Sequence, residues 1–136
     1  MTTFNPDKNF KYDLEFGELW ETKLNNILEN KKLELKTERD IWVNSGNLAI
    51  EISYRGKPSG LRTTQAEYWM HLLEYEGVLF ASIMLEVAVL KKTVQKMVNS
   101  GKARIVPGGD DMQSKLVLVP MSELFKRNNN YPKELL

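Results

Sequence analysis

The chain has 136 residues, enough for one domain with a real core. It has no cysteine and a single histidine, His71, which excludes a disulfide frame, a thiolate metal site and a zinc site built from several imidazoles. Net charge is +1, but residues 1–54 carry 7 basic and 10 acidic side chains (net −3) and residues 55–136 carry 12 and 8 (net +4). Any metal must therefore sit on oxygen ligands, which means Mg²⁺, Mn²⁺ or Ca²⁺. The charge split suits a metal site beside a phosphate-tracking surface, or is chance asymmetry.

Residues 1–12 read as a polar tail. A helix follows from about Leu14 to Asn30, with Phe16, Trp20, Leu24, Ile27 and Leu28 as its buried stripe and Glu21 flanking that stripe. The first strand runs from about Lys32 to Glu38 with a period of two. Asp40 to Gly46 is a loop, and the second strand spans about Asn47 to Tyr54. Pairing Asp40 with Asn47 in an antiparallel hairpin sets Lys36 opposite Glu51 and Leu35 opposite Ile52, and Glu34, Lys36, Glu38 and Glu51 then share one face.

Arg55 to Arg62 is a basic loop punctuated by Gly and Pro. Thr64-Gln65-Ala66-Glu67 reads as a capping box opening a second helix through about Leu73. Gly77 to Met84 reads as a buried central strand and Glu86 to Ser100 as a helix ended by Gly101. Pro107 to Asp111 is a turn, Lys115 to Val119 a fourth strand, Met121 to Phe125 a helical turn, and residues 127–136 a polar tail. The order α-β-β-α-β-α-β implies one α/β domain over residues 1–136, with a mixed central sheet flanked by helices.

Carboxylates that hold a divalent cation, with a lysine beside them, are the chemistry of phosphodiester hydrolysis. Glu34, Glu51 and Glu38 supply oxygens, Lys36 the cation, and Glu21 can reach across from the first helix. The same four strand residues also suit a cross-strand charge ladder on a solvated face, worth a few tenths of a kcal/mol per pair, roughly. Lys91, Lys92, Lys96, Lys102 and Arg104 form a second basic stretch, DNA-facing or simply solvated. Trp20, Tyr68, Trp69, Phe80 and Met84 read as core, Trp42 as an exposed aromatic, and His71 as a packed histidine rather than a general base.

The chain resembles the PD-(D/E)XK nuclease superfamily, in particular small phage-borne members related to Holliday-junction resolvases. The resemblance rests on Phe16-Gly17-Glu18 with Glu21, on Leu33-Glu34-Leu35-Lys36-Thr37-Glu38 and on Gly46-Asn47-Leu48-Ala49-Ile50-Glu51. It continues through Lys57-Pro58-Ser59-Gly60-Leu61, Thr63-Thr64-Gln65-Ala66-Glu67-Tyr68-Trp69 and the late strand. It implies a restriction-endonuclease-like core and a Mg²⁺- or Mn²⁺-dependent DNA endonuclease, structure-selective in the resolvase manner. Glu34 and Lys36 look like the (D/E)-x-K pair, Glu21 like the first-helix glutamate, and Glu51 like the acid of a GN-x-x-(I/V)-E segment. Glu34, Glu51, Glu38 and Glu21 would bind metal, with Lys36 positioning or deprotonating water.

Arg55, Lys57, Ser59, Arg62, Thr63 and Thr64 would contact DNA phosphates. No aspartate precedes Glu34 at the family's spacing, so Glu51 or Glu38 would take that ligand position, with Asp13 and Asp40 as weaker substitutes. An inactive nuclease fold serving a phage as a DNA-binding or protein-interaction module is the alternative. Related resolvases act as dimers, so the resemblance also implies a homodimer. No organic cofactor and no membrane partner is expected. The N-terminus carries no signal peptide and no apolar run is of transmembrane length, which points to the cytoplasm, that of the host if the chain is phage-encoded.

Overall fold

Two sheets share one core. The computed structural model describes residues 6–30 and 32–126, with side chains from Leu14 onward. In chain order the elements are α1 (Pro6–Glu29), β1 (Leu33–Arg39), α2 (Ile41–Ser45), β2 (Asn47–Tyr54) and β3 (Lys57–Pro58), then a 3₁₀ turn (Gly60–Arg62). After it come β4 (Tyr68–Tyr75), β5 (Val78–Glu86), α3 (Val87–Asn99), β6 (Arg104–Gly108), β7 (Ser114–Pro120) and α4 (Met121–Leu124). One sheet has the order β1-β4-β5 and the other β3-β2-β7-β6. The architecture is mixed α/β, as expected, but with two sheets in place of one.

The core lies between the sheets and α3. α3 buries Val87, Leu90, Val94 and Met97, a helical stripe, against Leu48 and Ile50 of β2, Trp69 and Leu73 of β4, and Val117 and Val119 of β7. Its stop is as read: the Gly101 N–H bonds back to the Val98 carbonyl, and Gly101 takes a φ of +76°. Two hairpins are closed by two-residue turns, Arg55-Gly56 between β2 and β3 and Glu76-Gly77 between β4 and β5. All four turn residues have positive φ, the twist that suits flanking strands.

The expected β1–β2 hairpin does not form. β1 pairs in parallel with β4, setting Lys36 beside His71, and β2 pairs antiparallel with β7, setting Ile50 beside Val117. The physical reason is apolar matching. Leu48 and Ile50 gain a fully buried face by joining Val117 and Val119, whereas alternating Glu34, Lys36 and Glu38 offer no such face. The Asp40–Gly46 stretch expected as a loop contains the short helix α2, entered through Asp40 at φ 43°.

The expected second helix is the strand β4. Trp69, His71 and Leu73 are buried at a period of two, and Met70 and Leu72 are half-buried on the other face. Thr64 makes a short turn instead of a helix cap, its Oγ1 accepting from the Ala66 N–H at 3.2 Å. β5 is an edge strand, not a buried central one, and its Phe80 is exposed and leans on Trp42 at 5.6 Å between ring centroids. Met84 is also exposed. Trp42 is half-buried, not exposed, and donates its Nε1–H to the Glu74 carbonyl at 2.7 Å.

The reading missed β6 as a strand; it takes in Pro107 and Gly108. α1 begins at Pro6, inside the stretch read as a tail, and of its expected buried stripe only Ile27 is buried. The expected C-terminal tail, residues 127–136, lies outside the described residues. Among the described residues no helix is long and apolar enough to cross a membrane.

Leu90 is fully buried between α3 and both sheets. Leu90→Ala should cost about 2–5 kcal/mol, read as a lowered urea midpoint with an unchanged m-value.

Candidate functional site

β1 places Glu34, Lys36 and Glu38 on one face by strand alternation. Its parallel pairing sets that face beside Trp69 and His71 of β4. A continuous polar line results. Glu34 Oε1 lies 3.1 Å from Lys36 Nζ, with side chains 38% and 40% exposed. The Lys36 ammonium stands 5.5 Å from the Trp69 ring centroid, within cation–π reach. Trp69 donates its Nε1–H to His71 Nε2 at 2.8 Å, and both side chains are fully buried. Because Nε2 accepts, that bond assigns the proton of a neutral ring to Nδ1. Nδ1 faces Glu38 Oε1 at 3.3 Å, off the line of a hydrogen bond. Glu38 Oε1 also accepts the Ala49 N–H of β2 at 2.7 Å.

Glu51 belongs to a second arrangement. Its Oε1 accepts from Ser114 Oγ at 2.7 Å and its Oε2 from Ser59 Oγ at 3.0 Å. The loop is drawn in further by Gly60, at φ +56°, where an added Cβ would fall 2.1 Å from the Glu51 carbonyl oxygen. The close approach that Ser59 and Gly60 make in this structure is to Glu51 of the same chain. Glu21 sits exposed on α1.

Among the described residues, no three acidic or histidine side chains converge as metal ligands. Both oxygens of Glu51 and one of Glu38 are held by protein donors, and Glu34 is paired with Lys36. Mg²⁺ and Mn²⁺ need several open, converging oxygens. This donor set does not fit either ion.

The basic residues fall differently. Arg55 leans over the Tyr54 ring at 5.2 Å and lies 3.9 Å from Asp111. Lys57 is exposed on β3. Thr63 and Thr64 follow the 3₁₀ turn instead of opening a helix. Arg62 and Lys91, with Gln95, rim an open groove of about 340 Å³ floored by Ile52, Ile105 and Val117. Lys91 also borders a second groove of about 430 Å³ beside Thr64 and Gln65. Exposed Lys115 lies on the strand face that Val117 occupies, one alternation away. Lys92 and Lys96 are exposed on α3, as is Arg104 on β6, whereas Lys102 pairs with Glu123 at 3.3 Å.

Sequence reading missed the Trp69–His71–Glu38 relay and the Ser114 contact. The available signal for the relay was Trp69, His71 and Leu73 at a spacing of two, ahead of the Glu76-Gly77 turn. No family model, curated protein or solved structure matches this chain.

Asp111 is held below the ordinary carboxylate range, first by the Gln113 N–H and then by the Tyr54 hydroxyl. Tyr54 is raised above its ordinary range by the same hydrogen bond. The sign follows from linkage. The depressed Asp111 contributes stability above its unfolded value and loses it as pH falls; the raised Tyr54 contributes below its unfolded value and loses it as pH rises through the folded one. Asp111→Asn should therefore bring the Tyr54 phenolate titration down toward that of free tyrosine, measured by ultraviolet absorbance. Gly60→Ala meets both the positive φ, about 1–2 kcal/mol of strain, and the Glu51 carbonyl. It should unfold at markedly lower denaturant than wild type.

Proposed function

We propose that this protein is a DNA-binding module whose contact surface is the basic groove between the Gly60–Arg62 turn and α3, and whose acidic residues on β1 and β2 serve the fold. The observation that carries the reading is the placement of Arg62 and Lys91 on one open groove with an apolar floor. Cations spaced along a groove neutralise successive phosphates and release counterions, while apolar walls accept sugars and bases. Lys57 and Lys115, exposed on strands of the same sheet, extend the positive surface. The resemblance to small PD-(D/E)XK proteins supports DNA as the target and a restriction-endonuclease-like ancestry for the core. Arg55, tied to Asp111 and Tyr54, contributes less.

A second reading is the metal-dependent endonuclease itself. One observation favours it: Glu34 and Lys36, 3.1 Å apart and about two-fifths exposed, form an (D/E)-x-K pair that a phosphate can reach. Lys36 would stabilise charge developing on that phosphate. Against it stands the donor set, in which Glu38 and Glu51 already serve protein partners.

Fluorescence anisotropy on labelled duplex, single-stranded and four-way-junction DNA across a salt series separates the two. The module should bind with strong salt dependence. Arg62→Glu and Lys91→Glu should each weaken binding and lower the slope of log K against log salt by about 1, while Lys36→Ala leaves it unchanged. Absence of salt-sensitive binding overturns the module. Cutting that requires Mg²⁺ or Mn²⁺ and disappears in Lys36→Ala would establish the endonuclease in its place.

A further inference from the structure

Among the described residues, two of the apolar surfaces that face solvent are a helix side and a sheet face. The first is on α1, where Trp20, Leu24 and Leu28 are 46%, 39% and 52% exposed along one side of the helix. The burial of α1 is concentrated near its end, at Ile27, beside Lys32, Glu67 and Tyr68. The second is the face of the β1-β4-β5 sheet turned away from the core. There the strand registers align Leu35, Met70 and Met84 in one row across all three strands. Leu35 is 53% and Met84 38% exposed, and Leu72 lies one step along β4. Parallel pairs such as β1–β4 are ordinarily covered on both faces. An amphipathic helix and an uncovered sheet face are the two halves of one layer contact.

We propose that a second copy of this chain covers both surfaces, its α1 lying across the Leu35–Met70–Met84 row while its own row receives the first copy's α1. Among its described residues each chain carries one such helix side and one such sheet face, so a two-fold exchange covers both by making the same contact twice. The area suffices. A helix about 10 Å wide along strands about 25 Å long occludes roughly 250 Å² on each surface. Two such contacts, counted on both sides, remove on the order of 1,000 Å², the threshold for a specific interface. This inference is independent of the DNA-binding reading.

Sedimentation equilibrium and light scattering on the full chain give the first test. Wild type should have twice the 15.7 kDa chain mass at micromolar concentration. Trp20→Glu and Leu35→Glu, both at exposed positions, should each weaken dimerisation at least tenfold with unchanged circular dichroism. An equimolar mixture of the two should associate more strongly than either variant alone, because one helix–sheet contact stays intact in the mixed pair. The absence of cysteine permits a test that does not depend on those variants folding well. Leu24→Cys mixed with Met70→Cys should give a disulfide between chains under mild oxidation. A monomeric wild type, a dimer insensitive to both substitutions, or, in a chain that carries both Leu24→Cys and Met70→Cys, a bond formed within that one chain would each overturn the exchange.

Discussion

The Glu38 carboxylate is where the two sheets meet, and the rest of the fold depends on it. β1 has spent its ladder on β4, and β2 has spent its own on β7. What joins them at this point is one oxygen accepting the Ala49 N–H at 2.7 Å, backed by His71 at 3.3 Å. A carboxylate drawn into a protein costs free energy unless donors surround it. Here the Ala49 amide donates at 2.7 Å, and the His71 imidazole, fixed by the Trp69 indole at 2.8 Å, lies beside the carboxylate without completing a hydrogen bond. Trp69, His71 and Glu38 therefore bring polar atoms into an otherwise apolar interior of Leu48, Ile50, Leu90 and Val117. They tie one sheet to the other, while apolar match sets the pairing within each sheet.

The same logic governs Glu51. Its two oxygens gather Ser59 from one loop and Ser114 from β7, and Gly60 lets the backbone close over it. Of the acids that a pattern reading assigns to metal chemistry, Glu38 and Glu51 hold strands and a loop together. The surface left for a partner is elsewhere: a basic groove against α3, and an apolar helix and sheet face on the opposite layer. These differ in physics. As proposed, the first would attract DNA by counterion release and be sensitive to salt, and the second would bind by removal of apolar area from water.

Legibility followed the range of the deciding interaction. α3 could be read because Val87, Leu90, Val94 and Met97 repeat at helical spacing and Gly101 ends the run, all within one segment. β2 and β7 were readable because a buried face on every second residue survives any choice of neighbour. β4 was misread because Thr64 to Glu67 imitates a helix start. The evidence against a helix, burial of Trp69, His71 and Leu73, exists only once β1 and β5 flank them. α1 was read correctly as a helix and wrongly as buried, since amphipathicity states which side wants cover but not whether this chain supplies it.

The sequence by itself determined the elements with a strong local period, the absence of thiolate or multi-histidine chemistry, and the clustering of basic residues after Tyr54. Only the tertiary structure decided which acids share a neighbourhood. Glu34, Lys36 and Glu51 were joined in thought by an antiparallel hairpin that a one-step register argument favoured, and that register presumed the partner. Strand pairing is a competition among all strands for apolar match. β7 offered β2 the buried Val117 and Val119, whereas β1 carries Glu34, Lys36 and Glu38 at every second position.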